Sequence, residues 1–119
     1  MAFTPAAHTF IPLETQEQFD ALLGDSVTRP VVIFKHSPAC GTSGMAYDDL
    51  MDLFADANAP EIHLLNVLAH RSLSQAIATR LGVRHESPQV LVLKDGRAAW
   101  HGSHFRVTAD ALRKAVKDI

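Results

Sequence analysis

The chain has 119 residues, of which 47% are hydrophobic, which is enough for one domain with a single core. Its formal net charge is −2 at pH 7 and its charges are mixed along the sequence, so neither nucleic acid nor an anionic membrane is expected as a partner. No apolar stretch approaches the roughly 18 residues of a membrane span, and residues 1–10 lack a signal-peptide pattern, so we expect one cytoplasmic domain over residues 1–119.

Extended and helical segments alternate from the start of the chain. Residues 9–13 predict a short first strand. Thr15 and Gln18 have the spacing of a capping box, which predicts a helix that begins after Thr15 and ends at residues 24–25. Residues 31–34 form an unbroken apolar run with β-branched members, which is typical of a central strand buried on both faces.

The middle of the chain continues this alternation. A loop over residues 35–39 leads to a helix predicted at about residues 41–57. The apolar stripe of that helix consists of Ala46, Leu50, Leu53, Phe54 and Ala57. A strand follows at residues 62–67, and then a helix at residues 71–81, which Gly82 is expected to end in a left-handed conformation.

The last third of the chain predicts two strands and a helix. Residues 90–93 form a strand, and Asp and Gly at residues 95–96 favour a hairpin turn because both tolerate positive φ. Residues 97–101 return antiparallel as far as a break at Gly102, and Thr108 caps the last helix. The order β-α-β-α-β-α-β-β-α predicts an α/β fold with a central mixed sheet flanked by helices, and it matches the arrangement of thioredoxins.

The single cysteine, Cys40, falls where a predicted strand gives way to a predicted helix. It cannot form an internal disulfide, so any redox cycle needs an outside thiol or a second copy of the chain. Unpaired N–H groups and the dipole at a helix N-terminus stabilise a thiolate, which is the form that attacks disulfides. Ser43 occupies the place of the second cysteine of a Cys-x-x-Cys site, and its hydroxyl is expected to donate to the thiolate without resolving a mixed disulfide. The alternative is a buried cysteine that packs as a small hydrophobe.

Several residues are candidates to surround this cysteine. Lys35 and His36 precede the loop and are expected to add positive potential. A cis bond between Ser87 and Pro88 would present the Ser87 backbone to a disulfide substrate, whereas a trans proline at the start of a strand is the alternative. His85 is a candidate for proton transfer or for binding an anionic part of a thiol, and the alternative is an exposed loop histidine.

Other basic side chains carry weaker signals. His101 and His104 are too isolated to predict a metal site, since no further ligand lies near them in the sequence. Arg71 and Arg84 are interpreted as solvated side chains, although either is long enough to reach an anionic ligand. We therefore expect no bound metal.

Two stretches of the sequence resemble a known family. Residues 35–43, with the pattern Lys-His-Ser-Pro-Ala-Cys-x-x-Ser, resemble the active-site stretch of the bacillithiol-system thioredoxin-like proteins, the YtxJ-like monothiol bacilliredoxins. Residues 82–90, Gly-Val-Arg-His-Glu-Ser-Pro-Gln-Val, resemble the second characteristic block of that family. Residues 94–96 and 103–104 are also similar, so the likeness spans residues 31–105 in the right order.

This resemblance implies a thioredoxin-like fold, a cis bond before Pro88 and a redox-active Cys40 as nucleophile. The implied activity is that of a thiol–disulfide oxidoreductase that removes bacillithiol from cysteines of other proteins. The implied partners are bacillithiolated proteins and bacillithiol as the thiol co-substrate, with a reductase as a further candidate. Besides Cys40 and Ser43, the residues assigned to contact the substrate are Lys35, His36, Gly41, Thr42, His85, Ser87 and Pro88.

Gly41 departs from the resemblance, because members of that family usually have proline directly after the cysteine. Glycine there makes the site similar to the Cys-Gly-Phe-Ser motif of monothiol glutaredoxins, in which two subunits share a [2Fe–2S] cluster with glutathione. Thr42 replaces the phenylalanine of that motif, and residues 101–104 stand where its glutathione-binding Gly-Gly and Asp would be. A [2Fe–2S] carrier and a non-catalytic thioredoxin-fold binding module therefore remain alternative functions.

Overall fold

The structure, a computed structural model, describes residues 9–119 and has a five-stranded sheet at its centre. The strands are β1 (Ile11–Pro12), β2 (Val31–His36), β3 (Ile62–Asn66), β4 (Gln89–Lys94) and β5 (Arg97–Ser103). Their order across the sheet is β1-β3-β2-β4-β5, with β3 parallel to both of its neighbours and β4 antiparallel to both of its own. This is the mixed sheet that the alternation of elements predicts.

Four helices cover the sheet, and their ends follow the local signals in the sequence. They are α1 (Gln16–Asp25), α2 (Gly41–Met51), α3 (Arg71–Leu81) and α4 (Ala109–Asp118). The capping box at α1 is present, with Thr15 Oγ1 accepting from the Gln18 N–H at 3.1 Å and Gln18 Oε1 accepting from the Thr15 N–H at 3.1 Å. Thr108 caps α4, and Gly82 ends α3 at φ +66°. No helix along residues 9–119 is both long and apolar enough to cross a membrane.

The sheet separates two hydrophobic cores. One core packs α2 and α4 against the face that carries Val32 and Phe34, and the other packs α1 and α3 against the face that carries Val31 and Ile33. Neighbouring side chains of β2 enter different cores because successive residues of a strand point to opposite faces. All five residues from Val31 to Lys35 are buried, so β2 is the central strand that its apolar run predicts.

Two predicted boundaries in the first half of the chain are wrong. β2 continues through Lys35 and His36, where the sequence predicts a loop, because both residues pair with β3. The α-helical part of α2 ends at Met51, and a single 3₁₀ turn follows at Asp52–Ala55. Ala57 is consequently exposed instead of lying in the buried stripe, because the backbone has already become extended at residue 56.

The second half of the chain contains two further differences. Gly102 does not break β5 but pairs with Val90 inside it. A Cβ atom at Gly102 would lie 2.8 Å from Trp100 Cη2, so glycine is needed there for the close approach of the indole ring. A 3₁₀ turn at His104–Arg106, which the sequence does not predict, connects β5 to α4. The turn at Asp95 and Gly96 has the predicted positive φ values, +54° and +73°.

Candidate functional site

Cys40 lies at the junction of β2 and α2, as the sequence predicts. It is the N-cap residue of α2, with an extended backbone at φ −105° and ψ 124°. Its N–H donates to the Ser37 carbonyl at 3.1 Å, and its carbonyl accepts the first helical bond from Gly44 at 3.0 Å. The thiol is free and partly exposed, and no side chain caps the first turn of α2. The N–H groups of that turn are therefore available to an anion on the cysteine sulfur.

Ser43 lies one turn further along α2 and is completely buried. Its Oγ accepts from the Ser37 N–H at 3.0 Å and lies 2.7 Å from His36 Nδ1. The proton of this 2.7 Å contact lies on the Ser43 hydroxyl or on His36 Nδ1 according to the tautomer of the ring. Ser43 thus connects the end of β2 to α2, and no hydrogen bond joins it to the Cys40 thiol among residues 9–119, so its donation to a thiolate stays a prediction.

His36 lies on the face of β2 that α2 covers. Its ring packs between Phe34 and Tyr47, with centroid distances of 5.4 and 5.1 Å. Burial lowers the pKa of His36, and a hydrogen bond with the Ser43 backbone only partly opposes that effect. His36 is therefore mainly neutral at pH 7. The prediction that His36 adds positive potential to the site is wrong for this reason.

Lys35 points to the other face of the sheet and is completely buried. Its Nζ donates to the Ser74 carbonyl of α3 at 3.0 Å and lies 3.3 Å from His85 Nδ1. Burial lowers the pKa of Lys35 to about 8, so the side chain is still mainly an ammonium at pH 7. Its hydrogen-bond partners lie on α3 and in the loop before β4, so added positive potential from Lys35 at Cys40 stays a prediction.

His85 lies in the loop before β4 and meets Lys35 below it. Its Nδ1 is 3.0 Å from Ser74 Oγ and 3.3 Å from Lys35 Nζ. Burial and the nearby ammonium both lower the pKa of His85, while Glu86 raises it. The neutral ring accepts at Nδ1 and so carries its proton on Nε2. The structure thus places a half-buried His85 beside Lys35 and Ser74, and its part in proton transfer or anion binding stays a prediction.

The Ser87–Pro88 peptide bond is cis. Gln89 pairs with Lys35 in the antiparallel register of β2 and β4, so Pro88 lies at the level where β2 ends and the Cys40 loop begins. The turn is held in place from β5, because the Pro88 carbonyl accepts from the His104 N–H at 2.8 Å. Ser87 is partly exposed at this edge of the sheet.

A shallow groove of about 330 Å³ borders the first turns of α2, and its exposed apolar residues are not among those that the sequence analysis singles out. Met45 on α2 and Phe105 in the 3₁₀ turn line it and are 66% and 78% exposed. Gly41 is exposed and Thr42 lines the same groove. The only sequence signal for the groove is an isolated phenylalanine in a polar connection, which is too common to be informative.

The arrangement matches known proteins over most of its length. Residues 11–112 match the family described as "Monothiol bacilliredoxin BrxC". A solved structure described as "A putative oxidoreductase with a thioredoxin fold" superposes with a TM-score of 0.80 and 30% identity, covering 90% of this chain and 93% of the other. A mutant thioredoxin from Halobacterium salinarum NRC-1 superposes with a TM-score of 0.73 and 19% identity over 98% and 95% of the two chains. Mitochondrial thioredoxin 3 of Saccharomyces cerevisiae superposes with a TM-score of 0.69 and 22% identity, covering 92% of this chain and 95% of the other.

These comparisons show that the fold is thioredoxin-like and that the chain has a thiol redox role. In the described part of this chain, Cys40 lies at the N-terminus of α2, and the cis proline turn lies beside the end of β2. Within residues 9–119 no three His, Cys, Asp or Glu side chains converge to hold a metal ion.

Proposed function

The chain belongs to the monothiol bacilliredoxin BrxC family, and from this premise we propose that it removes bacillithiol from protein mixed disulfides through Cys40. The observation that carries the proposal is the placement of the only cysteine. Cys40 is partly exposed at the N-cap of α2, and a buried serine takes the position of a resolving cysteine. A site of this kind supports attack on a disulfide but not its internal resolution.

The reaction proceeds in two exchanges. In the first, the Cys40 thiolate forms a bond to the bacillithiol sulfur, and the target cysteine leaves as a thiolate that takes a proton from water. In the second, the thiolate of another bacillithiol attacks the bacillithiol sulfur on Cys40, which releases bacillithiol disulfide and restores the Cys40 thiolate. The second bacillithiol supplies the reducing equivalent, and a reductase would be an alternative donor.

The chain supports each exchange through its backbone. The uncapped N–H groups of α2 stabilise negative charge on Cys40 whenever it is the attacking or the leaving sulfur. The Ser87 backbone beside the cis Pro88 is partly exposed just before β4 begins, where an extended target segment can pair with it. This chemistry suits the cytoplasm, where low-molecular-weight thiols keep proteins reduced.

The test compares two oxidants by intact mass. We expect the purified protein to acquire one bacillithiol adduct from bacillithiol disulfide, and to acquire a glutathione adduct from glutathione disulfide much more slowly. The protein should also release bacillithiol from a bacillithiolated target when reduced bacillithiol is present. The Cys40→Ser variant is the matched control and should lose both activities. Full turnover by that variant, or faster reaction with glutathione disulfide, would contradict the proposal.

The same preparations test the two alternative functions. Anaerobic incubation with iron, sulfide and a low-molecular-weight thiol should leave the protein colourless, whereas a cluster carrier would develop visible absorption. Iodoacetamide near pH 6 should alkylate Cys40 rapidly, whereas a binding module without redox chemistry would react slowly.

A further inference from the structure

The reaction proposed for Cys40 makes no use of the Lys35 ammonium. Lys35 is completely buried, yet its Nζ contacts only a carbonyl oxygen and a histidine nitrogen. No ion pair joins it to a carboxylate in the part of the chain that the structure describes. A buried charge is normally paired, because leaving water costs several kcal/mol without compensation. Lys35 is therefore a buried cation whose charge would be stabilised further by an anion close to it.

A small pocket borders the residues that contact this charge. It has a volume of about 120 Å³ and is lined by Val67, Arg71, Ser74, Gln75 and His85. Ser74 and His85 are the two residues that contact Lys35, so the ammonium lies behind the lining of the pocket, one residue away from it. His85 turns Nδ1 towards Lys35, so its Nε2–H is the donor that remains for a ligand.

Arg71 adds a second cation at the mouth of the pocket. It is the first residue of α3, it is exposed, and it forms no ion pair among residues 9–119. The pocket therefore combines two positive charges with hydroxyl, amide and imidazole groups, and none of the residues that line it is acidic. Arginine is well suited to a carboxylate because its planar donors bind both oxygens.

We propose that this pocket binds a carboxylate of a small anionic ligand, between Arg71 at the mouth and the Lys35 ammonium beneath His85. Resting on the function proposed above, the ligand is the carboxylate-bearing end of the low-molecular-weight thiol. A pocket of about 120 Å³ is smaller than the roughly 300 Å³ that enclose an entire drug-sized ligand, so only one end of such a thiol enters.

The position of the pocket suits a ligand that reaches Cys40. Val67, which lines the pocket, donates its N–H to the His36 carbonyl at 3.0 Å, at the end of β2. The loop to Cys40 leaves the sheet at the next residue. The pocket and the thiol thus open at the same edge of the sheet.

The experiment uses the full-length Cys40→Ser variant, so that binding is measured without redox chemistry. L-Malate is titrated in while the imidazole signals of His85 and the guanidinium signal of Arg71 are followed by NMR. We expect saturable shifts of both signals, and inorganic phosphate in a second arm should bind at least tenfold more weakly. Arg71→Gln and Lys35→Met should each weaken malate binding about tenfold, or about 1.4 kcal/mol. Arg80→Gln, further along the same helix, is the matched control and should bind malate normally.

Three outcomes would overturn this proposal: no saturable shift with malate, equal affinity in Arg71→Gln, or phosphate binding as tightly as malate. They leave the Cys40 chemistry untouched, because the mass measurements on the unsubstituted protein do not depend on the pocket. Conversely, malate binding in a protein that bacillithiol disulfide does not modify would retain the pocket and remove the proposed function.

Discussion

Lys35 and His36 are consecutive residues of β2, and their side chains have different surroundings because they point to opposite faces of the sheet. The sequence predicts that they act together near Cys40, but β2 continues through both and sends them to opposite faces of the sheet. His36 packs among aromatic rings and binds Ser43, whereas Lys35 is buried next to α3. Only His36 is therefore on the side of the sheet that supports the cysteine loop.

The buried Lys35 ammonium should lower the free energy of unfolding at pH 7, and the Lys35→Met variant tests this. Burial lowers the pKa of Lys35 from 10.5 to about 8, which corresponds to a cost of about 3 kcal/mol for the ammonium at pH 7. Methionine fills similar space without charge, so the free energy of unfolding should rise by about 1–3 kcal/mol, part of the gain being offset by the lost hydrogen bonds. Urea denaturation at pH 7 measures the change.

The pH dependence of this effect provides its own control. A lowered lysine pKa means that the unfolded chain binds the proton more tightly, so the stability of the unsubstituted protein should rise between pH 8 and 10.5. The Lys35→Met variant should lack that rise, so the two curves should converge at high pH. Lys117→Met, at an exposed position on α4, should change neither stability nor its pH dependence. A destabilised Lys35→Met protein would contradict the argument.

For single residues, the sequence predicts where a side chain lies along the fold better than it predicts which side chains form its hydrogen bonds. The location of Cys40 follows from signals within a few residues, namely an apolar run, a proline-containing loop and a helix start. The partner of Ser43 does not, because His36 can be placed beside it only once the strand is known to include residues 35–36. The pairing of Lys35 with His85 spans 50 positions in the chain, and no local pattern encodes it.

At the scale of elements, the sequence predicts helix starts more reliably than helix ends. The starts of α1 and α4 are set by threonine caps that act over three residues, so the sequence contains the whole signal. The end of α2 lacks such a signal. Leu53 and Phe54 remain buried in the 3₁₀ turn that follows, so the apolar pattern continues after the α-helix has ended. Periodicity alone therefore predicts a helix that is too long.

Within β5, we predict that substitutions of Gly102 and Trp100 have non-additive effects on the free energy of unfolding. A Cβ at Gly102 would lie 2.8 Å from Trp100 Cη2 and 3.1 Å from Cζ2, so a rigid ring or the strand must move. Gly102→Ala should lower the free energy of unfolding by about 1–3 kcal/mol, the usual cost of overpacking. A double-mutant cycle with Trp100→Ala should show that the alanine costs much less once the ring is absent.

The matched control for this prediction is Gly24→Ala in α1. Nothing lies within 4 Å of a Cβ at Gly24, and the position is helical and exposed. That substitution should be neutral or stabilising by up to about 1 kcal/mol, because alanine favours helix more than glycine does. If Gly102→Ala also proved neutral, the close contact with the indole would not constrain β5.

At the scale of the whole molecule, the helix–sheet–helix layering buries titratable groups on both faces of one sheet. His36 lies towards α2, His85 lies towards α3, and His63 lies on β3 with Nε2 unsatisfied by any hydrogen bond among the described residues. Burial is the largest cause of a lowered pKa in all three. The sequence shows seven histidines but not which of them are enclosed, because enclosure depends on how the helices cover the sheet.

These three histidines should make the protein less stable in acid. An unfolded histidine titrates near pH 6.5, whereas the folded protein binds the same protons only at lower pH. The unfolded state therefore holds more protons as the pH falls below about 6.5, and the free energy of unfolding decreases in that direction. The contribution is fully present above pH 6.5 and is lost as the pH falls through the folded pKa values. Each histidine can add at most about 1.4 kcal/mol per pH unit to the slope.

Urea denaturation between pH 5 and 7.5 measures this slope, and His63→Gln removes one contributor outside the redox site. The variant should show a shallower loss of stability towards pH 5 than the unsubstituted protein, while Lys117→Met should retain the original slope. Stability that is flat across the range, or a His63→Gln slope as steep as the original, would show that the sheet does not hold these imidazoles in their neutral form.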